Sequence, residues 1–160
     1  MTELTIKTTF SVFEDITETP KNIQSLMQNA VESRKKAYAP YSKFKVGVAL
    51  VLENGTIVIG SNQENAAYPS GLCAERVAIY HAGAMYPDQK IISIAITATS
   101  DNFESVTPIP PCGSCRQSIS EFEVKQKQPI EIYFMGASGK VFKSDSLANL
   151  LPLSFSGDYL

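Results

Sequence analysis

Residues 45–62, "KVGVALVLENGTIVIGSN", constrain the fold more than any other stretch of this chain. Two runs rich in β-branched residues flank "ENG", and an Asn-Gly step between such runs is a strong local signal for an antiparallel reversal. A tight hairpin at Asn54 and Gly55 is therefore predicted. A lone hairpin cannot bury its apolar faces, so the remaining chain must supply more strands and covering helices.

The apolar spacing of Ile23, Leu26, Met27, Ala30 and Val31 predicts an amphipathic helix from Lys21 to about Tyr38, stopping before Pro40. "CAERVAIYHAGAM" predicts a second helix, with Ala74, Val77, Ala78 and Met85 on its core face. "KIISIAITATS" is almost continuously apolar and predicts a strand at the sheet centre. Pro108, Pro110 and Pro111 then interrupt regular structure before a third helix in "CGSCRQSISEFEV", where Cys115, Ile119 and Phe122 share a face. "PIEIYFMG" and "KVFK" about the turn "ASGK" read as two further strands, and "DSLANLLPLSF" as a short helix capped by Asp145 or Ser146. Five strands with intervening helices give a layered α/β sandwich with a mixed sheet in one domain, residues 1–160. Residues 1–20 show no clear period and end at Pro20; they are either a mobile extension or a short edge element, with no function assigned.

Hydrophobic residues make up 44% and charged residues 19% of the chain, a globular balance. The formal charge of −2, without long basic runs, offers no electrostatic footprint for nucleic acid or an anionic bilayer, so neither is expected as a partner. No apolar run approaches the roughly 20 residues of a membrane span, and "MTELTIKTTF" lacks a signal-peptide layout. An intracellular, cytoplasmic location is expected, where structural disulfides are disfavoured. The odd number of cysteines, two of them in "PCGSC", then points to metal binding or catalysis.

Cys73, Cys112 and Cys115 each fall at an expected helix N-terminus, where unpaired N–H groups and the helix dipole favour thiolates. C-x-x-C lets two sulfurs of one turn meet a third from another helix start. The only histidine, His81, lies two turns beyond Cys73, so a fourth protein ligand is absent and one coordination position is left for water. Three thiolates make such water less acidic than imidazole ligands would, which calls for a nearby base, and Glu75 is placed for that duty. Arg76 is the natural cation to temper the charge of three thiolates around zinc. Taken alone, "CAER" reads better as a helix start with a buried cysteine and solvated charges, and C-x-x-C as a redox pair or part of a structural zinc site. Together, without a second C-x-x-C, they favour a catalytic zinc.

With "YAPYSKFKVGVAL", "NQENAAYPSGLCAERVAI", "PCGSCRQ" and "LLPLSF" in order, residues 21–155 resemble the zinc-dependent cytidine deaminases, specifically the small homotetrameric type acting on free nucleosides. The resemblance implies a three-layer α/β/α sandwich around a five-stranded mixed sheet. It implies one zinc ion per subunit on Cys73, Cys112 and Cys115, with Arg76 hydrogen-bonded to ligand thiolates. It further implies hydrolytic deamination of cytidine and 2′-deoxycytidine to the uridines and ammonia, a pyrimidine-salvage reaction, by a zinc-bound hydroxide with Glu75 as proton shuttle. Backbone groups at Cys73 and Ala74 would read the pyrimidine edge, Phe44 would pack on the base, and Asn62 and Glu64 would bind the sugar. Tyr68 and Phe155 match positions through which neighbouring subunits complete one another's sites. Arg116 and Gln117 receive no chemical step; a helix-structural role is expected for them.

The nearest enzymatic rival is a blasticidin-type or other aminopyrimidine deaminase, against which "FKVGVAL" and "NQENAAYP" argue. Editing enzymes that act on strands usually carry H-x-E and basic surface, and this chain has Cys73 and a mildly acidic balance. A non-enzymatic zinc-stabilised module would leave the open coordination position unexplained.

Overall fold

The computed structural model describes residues 1–160, the side chain of Asp158 apart. Its regular elements are β1 (Ser11–Phe13), α1 (Lys21–Arg34), β2 (Phe44–Leu52), β3 (Ile57–Ser61), α2 (Ala74–Met85), β4 (Ile91–Ser100), α3 (Gly113–Gln126), β5 (Glu131–Met135) and β6 (Val141–Ser144). They form one mixed sheet of order β1-β6-β5-β4-β2-β3. Only β4 and β5 run parallel, because α3 carries the chain back between them.

The sheet has six strands where five were expected. The extra one is β1, three residues of the leader paired antiparallel with β6 from Ser11↔Lys143 to Phe13↔Val141. So short and exposed a segment has no alternation to read; its strand character comes from its partner.

Two cores lie on the two faces of this sheet. Val48, Leu50, Ile94, Ile96, Ile132 and Phe134 face α2 and α3. Ala49, Ala95, Tyr133 and Met135 face α1, which presents Ile23, Leu26, Met27 and Ala30. The α1 side of β2 is built from small residues because α1 lies directly on it: a Cβ on Gly47 would meet the Ala30 carbonyl oxygen at 2.1 Å. This is the expected three-layer α/β/α arrangement, with β4 buried at the centre as its unbroken apolar run requires.

The hairpin closes over three residues. Gly55 takes the left-handed conformation (φ 84°) and Asn54 does not, while Gly55 N donates to Leu52 O at 2.9 Å. This is the three-residue loop with glycine at the left-handed position. Helix α1 ends at Arg34, not Tyr38, because Tyr38 pairs with the end of the hairpin: its N–H donates to Asn62 O at 3.0 Å and its carbonyl accepts from Glu64 N at 2.9 Å. On α2, Ile79 and Ala82 join Ala74 and Ala78 in the core, and Met85 is exposed. In place of the helix expected over residues 145–155 there is a 3₁₀ turn, Leu147–Asn149, capped by Ser146, and a second such turn follows at Gly157–Tyr159. No helix among the described residues is long and apolar enough to cross a membrane.

Candidate active site

Helices α2 and α3 start side by side on the same face of the sheet. Cys73 is the N-cap of α2 and Cys112 that of α3, and neither side chain caps its own helix, so both sulfurs are left to face each other. Cys115 adds a third sulfur from the first turn of α3, fully buried. The Sγ separations are 3.9 Å for Cys73–Cys112 and 3.5 Å for Cys112–Cys115, with all three sulfurs within 4.8 Å of one another. Tetrahedral zinc with Zn–S bonds of about 2.3 Å needs sulfurs about 3.8 Å apart, so the set fits such an ion. His81 is exposed on α2 and stands outside this cluster.

The sulfur electrostatics point the same way. A hydrogen bond from Cys115 lowers the Cys73 thiol to about 5, with Arg76 adding to the effect. Cys115 is pushed far up in return, as the donor to Cys73 and by its burial. A divalent cation would take the place of that shared proton and ionise the whole set. Arg76 reaches Cys73 Sγ with Nη2 at 3.9 Å, and its buried Nε has no partner among the described residues.

Glu75 follows Cys73 by two residues and is only 5% exposed. Burial raises its carboxyl pKa, favouring the protonated form, and the neighbouring Cys73 pushes the same way. A buried carboxyl able to hold a proton beside a thiolate cluster is suited to proton transfer.

Cys73, Cys112, Glu75 and Arg76 line one end of a cavity of about 670 Å³, within the range that holds drug-sized ligands. Phe44, Asn62, Glu64 and Tyr68 line it as well, so eight of the residues singled out from the sequence meet there. Asn62 Oδ1 accepts from Val46 N at 2.8 Å and Nδ2 donates to Phe44 O at 2.9 Å, tying the start of β2 to the end of β3. The Glu64 carboxylate accepts from Tyr41 N at 2.9 Å and from the Ser42 hydroxyl. Tyr68, 74% exposed at the cavity mouth, lies tilted against Tyr41 with centroids 6.1 Å apart.

Three residues fall elsewhere. Cys115 lies behind the wall. Ala74 is fully buried, with its carbonyl over Gly60 of β3. Phe155 is exposed, lies outside this chain's own cavity and stacks on Tyr159 at 5.8 Å. Arg116 and Gln117 are structural ties: Arg116 donates to Pro111 O at 2.8 Å and Leu150 O at 2.9 Å, and Gln117 to Phe155 O at 2.8 Å. Sequence reasoning missed Tyr41, Ser42, Ile109 and Pro110 in the lining. Ser42 had a signal in its place two residues before Phe44, whereas Ile109 and Pro110 read only as a break in regular structure.

Residues 20–128 match the family model described as the cytidine and deoxycytidylate deaminase zinc-binding region. The chain belongs to this family. Among family relatives, the cytidine deaminase of Halalkalibacterium halodurans is 34% identical over 135 residues, covering 84% of this chain and 95% of that protein. The cytidine deaminase of Sporosarcina psychrophila is 36% identical over 139 residues, covering 87% and 95%. The family fold is shared too: the crystal structure of cytidine deaminase from Burkholderia pseudomallei superposes with a TM-score of 0.70 at 38% identity, covering 82% of this chain and 97% of that one. The family's zinc-binding region spans all three cysteines and Glu75.

Proposed function

We propose that this chain is a zinc-dependent cytidine deaminase that hydrolyses cytidine and 2′-deoxycytidine to the corresponding uridines and ammonia. One observation carries the reading: three sulfurs at the spacing of a tetrahedral ion stand beside a buried carboxyl in the wall of a cavity with room for a nucleoside. Cys73, Cys112 and Cys115 would hold the zinc, and Arg76 would moderate their charge. When bound, zinc supplies the Lewis acidity that makes water nucleophilic near neutral pH.

Glu75 does the proton work. It accepts a proton from the attacking water and delivers it to N3 of the pyrimidine as C4 becomes tetrahedral, then takes the proton of the new C4 hydroxyl and passes it to the exocyclic amine as it leaves. Cytidine and water thus become uridine and ammonia, with Glu75 restored. Of the two backbone positions expected to read the pyrimidine edge, Cys73 faces the cavity and does so, while Ala74 stands behind it at the start of α2. Phe44 lies against the base while Asn62 and Glu64 face the sugar, and the apolar wall from Val46 and Ile96 limits water around the base.

The chain acts as a single-domain homotetramer in the cytoplasm. Support for the assembly comes from Tyr68 and Phe155, both exposed aromatics, one at the cavity mouth and one outside it, as residues shared between subunits would be. Purified zinc-loaded protein incubated with cytidine, 2′-deoxycytidine, blasticidin S and single-stranded RNA should release ammonia from the first two only. Activity on none would end the enzyme reading, and light scattering that finds a fully active monomer would end the shared-site reading.

A further inference from the structure

Ser42 connects two walls of the cavity that the sequence treats as separate. Its hydroxyl donates to Glu64 Oε1, and Ser42 Oγ accepts the backbone N–H of Phe44 at 3.0 Å. A hydroxyl has one proton, so the direction is fixed: Phe44 N–H to Ser42 oxygen, Ser42 O–H to the Glu64 carboxylate. Glu64 Oε2 accepts the Tyr41 and Ser42 N–H groups at 2.9 and 3.3 Å. Three donors leave about one acceptor position of a carboxylate open, enough for one hydroxyl of a ligand.

The other end of the relay is also held. Phe44 O accepts from Asn62 Nδ2 at 2.9 Å. Between Ser42 and Phe44, Lys43 adopts a left-handed conformation (φ 58°), with its N–H on Ala39 O at 3.1 Å and its carbonyl on Asp101 N at 2.8 Å. A non-glycine residue keeps that backbone only where its surroundings over-determine it. The loop is thus braced on both sides, and the Ser42 hydroxyl joins the backbone that carries Phe44 to the Glu64 carboxylate.

We infer that Ser42 is a positioning residue that couples the sugar contact at Glu64 to the base contact at Phe44, so that a nucleoside is recognised as a unit and not as two independent halves. This rests on the nucleoside reading of the cavity given above. A sugar hydroxyl donating to Glu64 polarises the carboxylate to which Ser42 donates, and Ser42 in turn fixes the backbone carrying the ring.

The test uses the zinc-loaded full-length chain and its Ser42→Ala and Ser42→Thr variants. kcat and KM are measured for cytidine, and calorimetric Kd values for uridine and for 2′,3′-dideoxyuridine, which lacks the sugar hydroxyls. Ser42→Ala should raise KM about tenfold with kcat within about twofold of wild type, the loss of roughly one hydrogen bond. It should also shrink the affinity ratio between the two uridines, and Ser42→Thr, which keeps the hydroxyl, should restore both. An unchanged ratio in Ser42→Ala, or no restoration by Ser42→Thr, overturns the coupling, because a merely structural defect would weaken both ligands alike. If Ser42→Ala fails to fold or to hold zinc, Ser42→Cys, a weak donor of similar size, takes its place against Ser42→Thr with the same two outcomes. Wild-type protein that binds uridine without turning over cytidine refutes the proposed reaction and leaves the coupling to be judged by the Kd values alone; wild-type protein that binds no nucleoside sinks both.

Discussion

Gly60 on β3 and Ala74 at the start of α2 meet backbone to backbone: a Cβ on Gly60 would lie 2.4 Å from the Ala74 carbonyl oxygen and 2.7 Å from Ala78 N. Neither contact is with a flexible side-chain end, so Gly60→Ala must push away the helix start that carries Cys73 and Glu75. The variant should lose about 1–3 kcal/mol of stability, as overpacked cores do, together with part of its zinc affinity. Urea unfolding and zinc content measured on the same preparations check both. Wild-type values for each would mean that the sheet and helix can separate without disturbing the cluster.

Glu75 and Cys112 should separate chemistry from metal binding. Glu75 lines the cavity beside the sulfurs but is outside the sulfur set, so Glu75→Ala should keep its zinc and lose turnover by about 10²–10⁴-fold, the range for general acid–base groups. Cys112→Ala leaves two sulfurs and should lose the metal and with it both activity and zinc-dependent stability. Metal analysis beside ammonia release is the measurement. Turnover retained in Glu75→Ala would remove the assigned proton role.

The features written into adjacent residues were legible, and those made by distant partners were not. Asn54 and Gly55 announced the hairpin, and the central position of β4 followed from its unbroken apolar run. Cys73, Cys112 and Cys115 were readable as one cluster because each opens a helix and two share a turn. β1 was readable only as one of two alternatives for the leader, because three residues, two of them exposed, become a strand only through pairing with Phe142 and its neighbours. Tyr38 left the helix for the same kind of reason, having been captured by Asn62 and Glu64. Ser42 carries no chemical signature beyond its place two residues before Phe44. Its place in the cavity comes from Glu64, 22 residues away. Glu75 shows the opposite case: at a position that helical periodicity would give to an apolar side chain, a buried carboxyl is itself the mark of chemistry.

Arg116 holds the segment leading into Cys112. Its Nε–H donates to Pro111 O, one residue before the ligand, while Nη1 donates to Leu150 O at the end of the Leu147–Asn149 turn. Arg116→Met keeps much of the side-chain length and removes both donors. Partners that orient a metal ligand are commonly worth 10–100-fold in metal affinity, and that loss is expected here, with a stability loss of about 1.5–3 kcal/mol for hydrogen bonds from a charged group. Competition with a chromophoric chelator reads the first and urea unfolding the second. Undiminished zinc affinity would show that the Pro108–Pro111 segment places Cys112 without help.

Glu64 should leave an acid signature on stability. The Ser42 hydroxyl, then the Tyr41 and Ser42 N–H groups, hold its carboxyl below the usual value of 4.5, with Lys43 adding its charge. A folded-state pKa below the unfolded one means that the carboxylate contributes stability above pH 4.5, and that this contribution fades as pH falls through the folded value. Glu64→Gln removes the titration and keeps the shape. The difference in melting temperature between wild type and Glu64→Gln should therefore be largest near about pH 6 and shrink steadily toward about pH 3.5, even though both proteins lose stability there as the cysteine ligands protonate. Taking the difference cancels that shared loss. A gap that stays constant across this range would mean that the loop around Ser42 does not hold the ionised carboxylate.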